Sequence, residues 1–97
     1  MITVTEPLQL WTGADGRMHF LTLPEGQSDE IRLQAGAMGA RRGFGAVRVE
    51  CKIGDVCWRT SVFPQKSGGY FLPMKAEVCR RAGSAAGEEV TVELELV

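Results

Sequence analysis

The chain has 97 residues, 11 Lys and Arg against 12 Asp and Glu, a net charge of −1, and 44% hydrophobic and 7% aromatic residues. That length fits one domain whose core needs neither disulfides nor metal, and the hydrophobic content excludes a disordered chain. The balanced charge disfavours broad binding to nucleic acid or anionic membrane, which a strong basic field drives, and no apolar run approaches the ~20 residues of a membrane helix.

Residues 2–11 read as one strand that Pro7 forces to an edge, a bulge or a bend. The first ten residues contain Glu6 and Pro7 and lack a basic segment, so they do not read as a signal peptide. After a turn at Gly13-Ala14-Asp15-Gly16, residues 17–23 read as a second strand. Ser28 suits a helix N-cap, with Asp29 and Glu30 in the first turn and Ile31 and Ala35 one turn apart. The stretch 36–45 is the nearest thing to a long loop.

The clearest local structure is a hairpin. Val47, Val49, Cys51 and Ile53 alternate with Arg48, Glu50 and Lys52, and Val56, Trp58, Thr60 and Val62 alternate on the return. Gly54-Asp55 suits a type II′ turn. That turn sets Ile53 against Val56, Cys51 against Trp58 and Val49 against Thr60 on the apolar side. Glu50 then meets Arg59 and Arg48 meets Ser61 on the other. The same register puts Cys51 and Cys57 on opposite faces, against a disulfide.

Residues 69–72 form a short strand, and residues 73–82 read as a second helix. Pro73 suits its first turn, Met74, Val78 and Ala82 form an apolar stripe, Arg80 and Arg81 lie in its last turn, and Gly83 is its natural stop. Val90, Val92, Leu94 and Leu96 alternate in a closing strand. Glu88, Glu89, Glu93 and Glu95 read as an acidic edge that guards against unwanted pairing.

The two helices are entered alike. Phe20-Leu21-Thr22-Leu23-Pro24 leads to the first and Gly69-Tyr70-Phe71-Leu72-Pro73 to the second, and each helix is followed by a glycine-containing loop and an alternating strand. This strand–Leu-Pro–helix–Gly–strand unit resembles the half-barrel of AbrB-type swapped-hairpin proteins, here with both halves in one chain. The whole sequence resembles the bacterial family labelled domain of unknown function 1905. The stretches that carry the resemblance are Trp11 with His19-Phe20, Arg42-Gly43-Phe44-Gly45 running into Val47-Arg48-Val49, Trp58 to Pro64, Tyr70 to Lys75, and Gly87-Glu88-Glu89-Val90. The resemblance implies a mainly β domain, a small closed or double-split barrel of about six strands with two short helices and an internal duplication. It brings no activity and no catalytic residues.

The three cysteines, Cys51, Cys57 and Cys79, leave one unpaired in any scheme; free thiols and a cytoplasmic location are the expectation. They form no zinc pattern, and no cofactor is expected. Cys51 reads as core. Cys79 reads as partly exposed near Arg80, which would lower its pKa. His19, the one histidine, reads as structural, since a lone base needs a nucleophile and an orienting acid. Arg41-Arg42-Gly43-Phe44-Gly45 offers guanidinium and amide groups to an anion, or a connection in which Phe44 plugs the barrel.

The polar side of the hairpin is the most suggestive feature. Arg48, Glu50, Arg59 and Ser61 share it, with Lys66, Tyr70 and Lys75 expected close by if the barrel closes. Facing solvent, Glu50–Arg59 is a weak ion pair; lining a mouth, the same residues with Arg42 form an anion pocket. The first functional expectation is therefore a non-catalytic module that binds a small anionic ligand or a partner protein. The alternatives are an AbrB-like DNA-binding regulator, which the charge disfavours, and an enzyme using His19 or a cysteine, which no spacing supports. With both half-barrels in one chain, a monomer is expected, with no membrane partner.

Overall fold

The computed structural model describes residues 1–38, 41–42 and 45–97, and the side chains of all of these except Met38, Arg41 and Arg42. In chain order its elements are β1 (Ile2–Pro7), β2 (Gln9–Gly13), β3 (Gly16–Thr22), α1 (Glu25–Met38), β4 (Arg41–Arg42), β5 (Ala46–Ile53), β6 (Val56–Pro64), β7 (Tyr70–Met74), α2 (Ala76–Ala82) and β8 (Glu89–Leu96). All ladders are antiparallel, in the order β1-β8-β5-β6-β7-β3-β2, with β4 beside β5. The fold is thus mainly β with two helices, as the sequence implied.

The ring of about six strands is not what the ladders show directly. Among the described residues there are eight strands in a curled sheet whose hydrogen-bonded path ends at β1 and at β2. The difference has two sources. β4 is a two-residue bridge, and the expected first strand breaks after Pro7. At the break, the Leu8 N–H donates to Glu88 O at 2.8 Å and Leu8 O accepts from Gly87 N–H at 2.7 Å. Leu8 itself is fully buried, so the bend is pinned both by its backbone and by its side chain.

The hairpin register is the expected one, with Ile53↔Val56, Cys51↔Trp58, Val49↔Thr60, Glu50↔Arg59 and Arg48↔Ser61. Gly54 has φ +55° and no described non-glycine residue has positive φ, as a II′ turn requires. Val47, Val49 and Cys51 are buried together with Val90, Val92 and Leu94 of β8, Leu21 of β3, and Tyr70, Leu72 and Met74 of β7. One face of every long strand therefore supplies the core, and Ile31 and Ala35 of α1 and Val78 of α2 complete it.

Both helices start elsewhere than expected. α1 begins directly after Pro24, whose carbonyl accepts the Ser28 N–H at 2.9 Å. Ser28 is therefore not the cap but lies inside the helix, buried, where its Oγ donates to Leu23 O at 3.3 Å and accepts from Tyr70 N–H at 3.1 Å. A buried amide without an acceptor costs about 1–3 kcal/mol, so this hydroxyl ties α1 to β7. Gly69, at φ +80°, makes room for it, because a Cβ there would stand 3.2 Å from Ser28 Oγ.

α2 begins late, since Pro73 and Met74 continue β7 opposite Phe20 and His19. The β6–β7 ladder ends at Phe71, so the missing N–H of Pro73 leaves no bond unmade there. At the other end Gly83 adopts φ +67°, and Ser84 N–H reaches Cys79 O at 2.9 Å, the expected glycine stop in a Schellman arrangement.

β8 is not an edge. It lies between β1 and β5, with Glu95 opposite Glu50 and Glu93 opposite Lys52. Its carboxylates therefore stand beside the basic hairpin rather than guarding a free strand.

Candidate functional site

The polar hairpin face is open to solvent. Arg59 Nε donates to Glu50 Oε2 at 3.0 Å, with the two side chains 65% and 45% exposed, so the pair contributes no more than about 1 kcal/mol. Glu95 of β8 stands beside Glu50 on the side away from Arg59. Arg48 is exposed and faces Ser61 across the ladder. The other residues expected near them stand elsewhere. Tyr70 is buried in the core at 4% exposure, with the Arg32 guanidinium 5.8 Å from its ring centroid. Lys66 borders a groove on the β2–β3–β7 side, and Lys75 borders a separate cleft with Arg17 and His19. The side chain of Arg42 and residues 43 and 44, including the Phe44 expected to plug the barrel, lie outside the described residues.

The groove is built by strand alternation. The face of β3 opposite Leu21 carries Met18 and Phe20, and the face of β7 opposite Leu72 carries Phe71. Cross-strand pairing adds Trp11, directly opposite Met18, and Phe63, directly opposite Phe71. Phe20 and Phe71 meet edge to face at 6.1 Å, and Phe71 and Phe63 lie tilted at 5.7 Å. These pairs hold the rings in place, yet Trp11 remains 52% exposed, Phe63 39% and Met18 37%. The indole of Trp11 lies folded over Gly13, where any Cβ would run into its ring; an aromatic covering a strand glycine in this way is itself ordered by the contact. The resulting concavity is about 680 Å³, walled by Trp11, Met18, Phe20 and Phe71 and closed on one side by Gln65 and Lys66.

Sequence alone gives these aromatics no site role. The signal that could find them is the pairs Phe20-Leu21 and Phe71-Leu72, which put large apolar residues on both faces of one strand. That pattern occurs where both faces are covered or where one is a contact surface.

The cysteines are free, and Cys57 alone of the three is exposed. Burial, helped by the neighbouring Glu50, pushes the Cys51 thiol up to about 12. Cys79 differs from expectation: α2 turns it with Val78 into the core, its Sγ lies 3.9 Å from Met74 O, and burial raises its pKa instead of Arg80 lowering it. Among the described residues no His, Cys, Asp and Glu side chains gather into a metal site, and no helix is long and apolar enough to cross a membrane.

A family described as Domain of unknown function (DUF1905) matches residues 5–94, most of the chain. No curated protein and no solved structure matches it.

Proposed function

This chain belongs to the family described as Domain of unknown function (DUF1905), and on that premise we propose a non-catalytic binding module for a small anionic ligand with a planar apolar body. The observation that carries this is the solvent-open floor formed by Phe20 and Phe71, walled by Trp11 and Met18, with Lys66 at its border. Half-buried rings already fixed by their neighbours lose little freedom when a flat ligand stacks on them. A single ammonium at the border favours a negatively charged group without demanding one.

Titration of the domain with planar aromatic carboxylates and phosphates, followed by indole fluorescence, tests this. Saturable quenching that disappears in Trp11→Phe is the expected result, with Trp58 left as an internal reference. Phe71→Leu, which keeps an apolar side chain at the same place, should weaken binding about tenfold, the loss of roughly 1.4 kcal/mol of stacking. If Phe71→Leu binds every compound as the wild type does, the groove is not the site.

We further infer that the curled sheet is a closed double-split barrel made of two equivalent units. Three observations support this. β1 and β2 follow one another through the single residue Leu8, and pair with β8 and β3 respectively. β6 behaves in the same way unbroken, its first part pairing with β5 and its end with β7. The corresponding strands of the two units also pair with each other, β3 with β7 and β5 with β8. Counted as one bent strand, β1–β2 closes a ring of six, leaving β4 aside. The Leu8 amide should then exchange with solvent as slowly as those of Val49 and Val92; exchange as fast as at a frayed edge would leave the ring open.

A further inference from the structure

We propose that the cleft between β3 and the start of α2 is a phosphate-binding site formed by Arg17, His19 and Lys75. Arg17 and His19 are two residues apart on β3 and so project to the same face. Lys75 follows Met74, the residue paired with His19, and lies in an extended conformation just before α2. All three side chains line one concavity of about 480 Å³ whose remaining walls are apolar, including Met18, Pro73 and Met74, and which has no carboxylate among its lining residues.

That composition is unusual for this molecule. Acidic residues outnumber Lys and Arg 12 to 11 over the whole chain, and on the hairpin face Arg59 is paired with Glu50 and Lys52 stands opposite Glu93. Arg17, His19 and Lys75 have no ion pair or side-chain hydrogen bond with any described residue. Cations of one sign in a cleft with apolar walls concentrate the field on whatever enters. A guanidinium fork, an imidazole N–H and an ammonium together offer more charge and more donors than one carboxylate can use; they match the charge and the several oxygens of a phosphate group.

Met18 is a wall of both this cleft and the aromatic groove. Arg17 and His19 project from the face of β3 opposite Met18 and Phe20, so the phosphate site does not rest on the groove reading.

Titration of the full chain with inorganic phosphate at neutral pH, with chloride holding the ionic strength constant, separates the two. Nuclear magnetic resonance should show saturable shifts at the His19 imidazole and at the amides of residues 17–19, 75 and 76. Arg17→Ala and Lys75→Ala should each weaken phosphate about tenfold, and acetate should bind at least tenfold more weakly than phosphate. Arg59→Ala and Phe71→Leu should leave the phosphate affinity unchanged. The proposal is overturned if His19 shows no saturable response, if acetate matches phosphate, if Arg17→Ala binds as the wild type does, or if Phe71→Leu loses phosphate. Failure of the aromatic titration with the phosphate response intact would remove the groove reading alone.

Discussion

Leu72→Ala is expected to lower the unfolding free energy by about 3–5 kcal/mol, the cost of a Leu truncated where the surroundings cannot collapse. Leu72 has no exposed surface and sits in the middle of β7, directly opposite Leu21, which has none either. β7 is also where the two halves of the sheet depend on each other, since it joins β3 along four pairs but β6 along two. A cavity here loosens the contact that holds β2 and β3 to the rest. For a domain of this size the melting temperature should fall by roughly 4–8 °C for each kcal/mol lost, a large share of total stability. Leu33, 75% exposed on α1, is the matching control, and Leu33→Ala should change stability by less than about 0.5 kcal/mol. Equal unfolding midpoints for the two variants would place β7 outside the core.

Alkaline pH should destabilise the protein through its buried thiols, Cys51 above all. The Cys51 thiol is pushed up to about 12 in the folded chain, against 9.0 for an ordinary cysteine, first by burial and second by Glu50. Between those values the unfolded chain releases the proton and the folded chain keeps it. The native state then binds more protons, and stability falls as pH rises. The contribution is fully present below pH 9.0 and is lost at up to about 1.4 kcal/mol per pH unit above it. The Cys79 thiol, also raised by burial, acts in the same direction, so the clean measurement is a difference. Urea unfolding of wild type and Cys51→Ala should diverge in pH slope only on the alkaline side, and parallel slopes would contradict the burial of this thiol. Under native conditions a thiol reagent should label Cys57 at once, and Cys51 and Cys79 only as fast as the chain opens.

The part of the fold that was legible in the sequence is the part in which neighbours in space are neighbours in the chain. Every pair expected across the β5–β6 hairpin is present, because a two-residue turn with glycine first leaves one register, and in that register the apolar sets coincide. The stop at Gly83 and the bend near Pro7 were readable for the same reason: each follows from what one residue's backbone can adopt. Helix starts were less legible. Ser28 has the chemistry of a cap, and the same hydroxyl serves a strand amide from Tyr70, 42 positions away. Pro73 has the chemistry of a first helical turn, and pairing with β3 keeps it extended.

The candidate site was legible only in fragments. Lys66 and Lys75 were singled out for their charge, and each borders a concavity, but not the same one. Arg59 and Arg48 looked like a pocket because the strand that brings Glu93 and Glu95 beside the hairpin comes from the far end of the chain. Phe20 and Phe71 enter the sequence reading only through the Leu-Pro echo and the family resemblance, because what lies across their face comes from distant strands.

The sequence by itself determined which residues alternate and where the hairpin turns. Only the tertiary structure decided which face of each strand is sheltered. A period of two divides a strand into two faces and says nothing of what lies across either one. That depends on partners distant in the chain: β8 between β1 and β5, β7 between β6 and β3, and the helices over the core face. Those partners buried Tyr70, placed Glu95 beside Glu50, and left Trp11, Met18 and Phe63 facing water on the surface that carries Phe20 and Phe71.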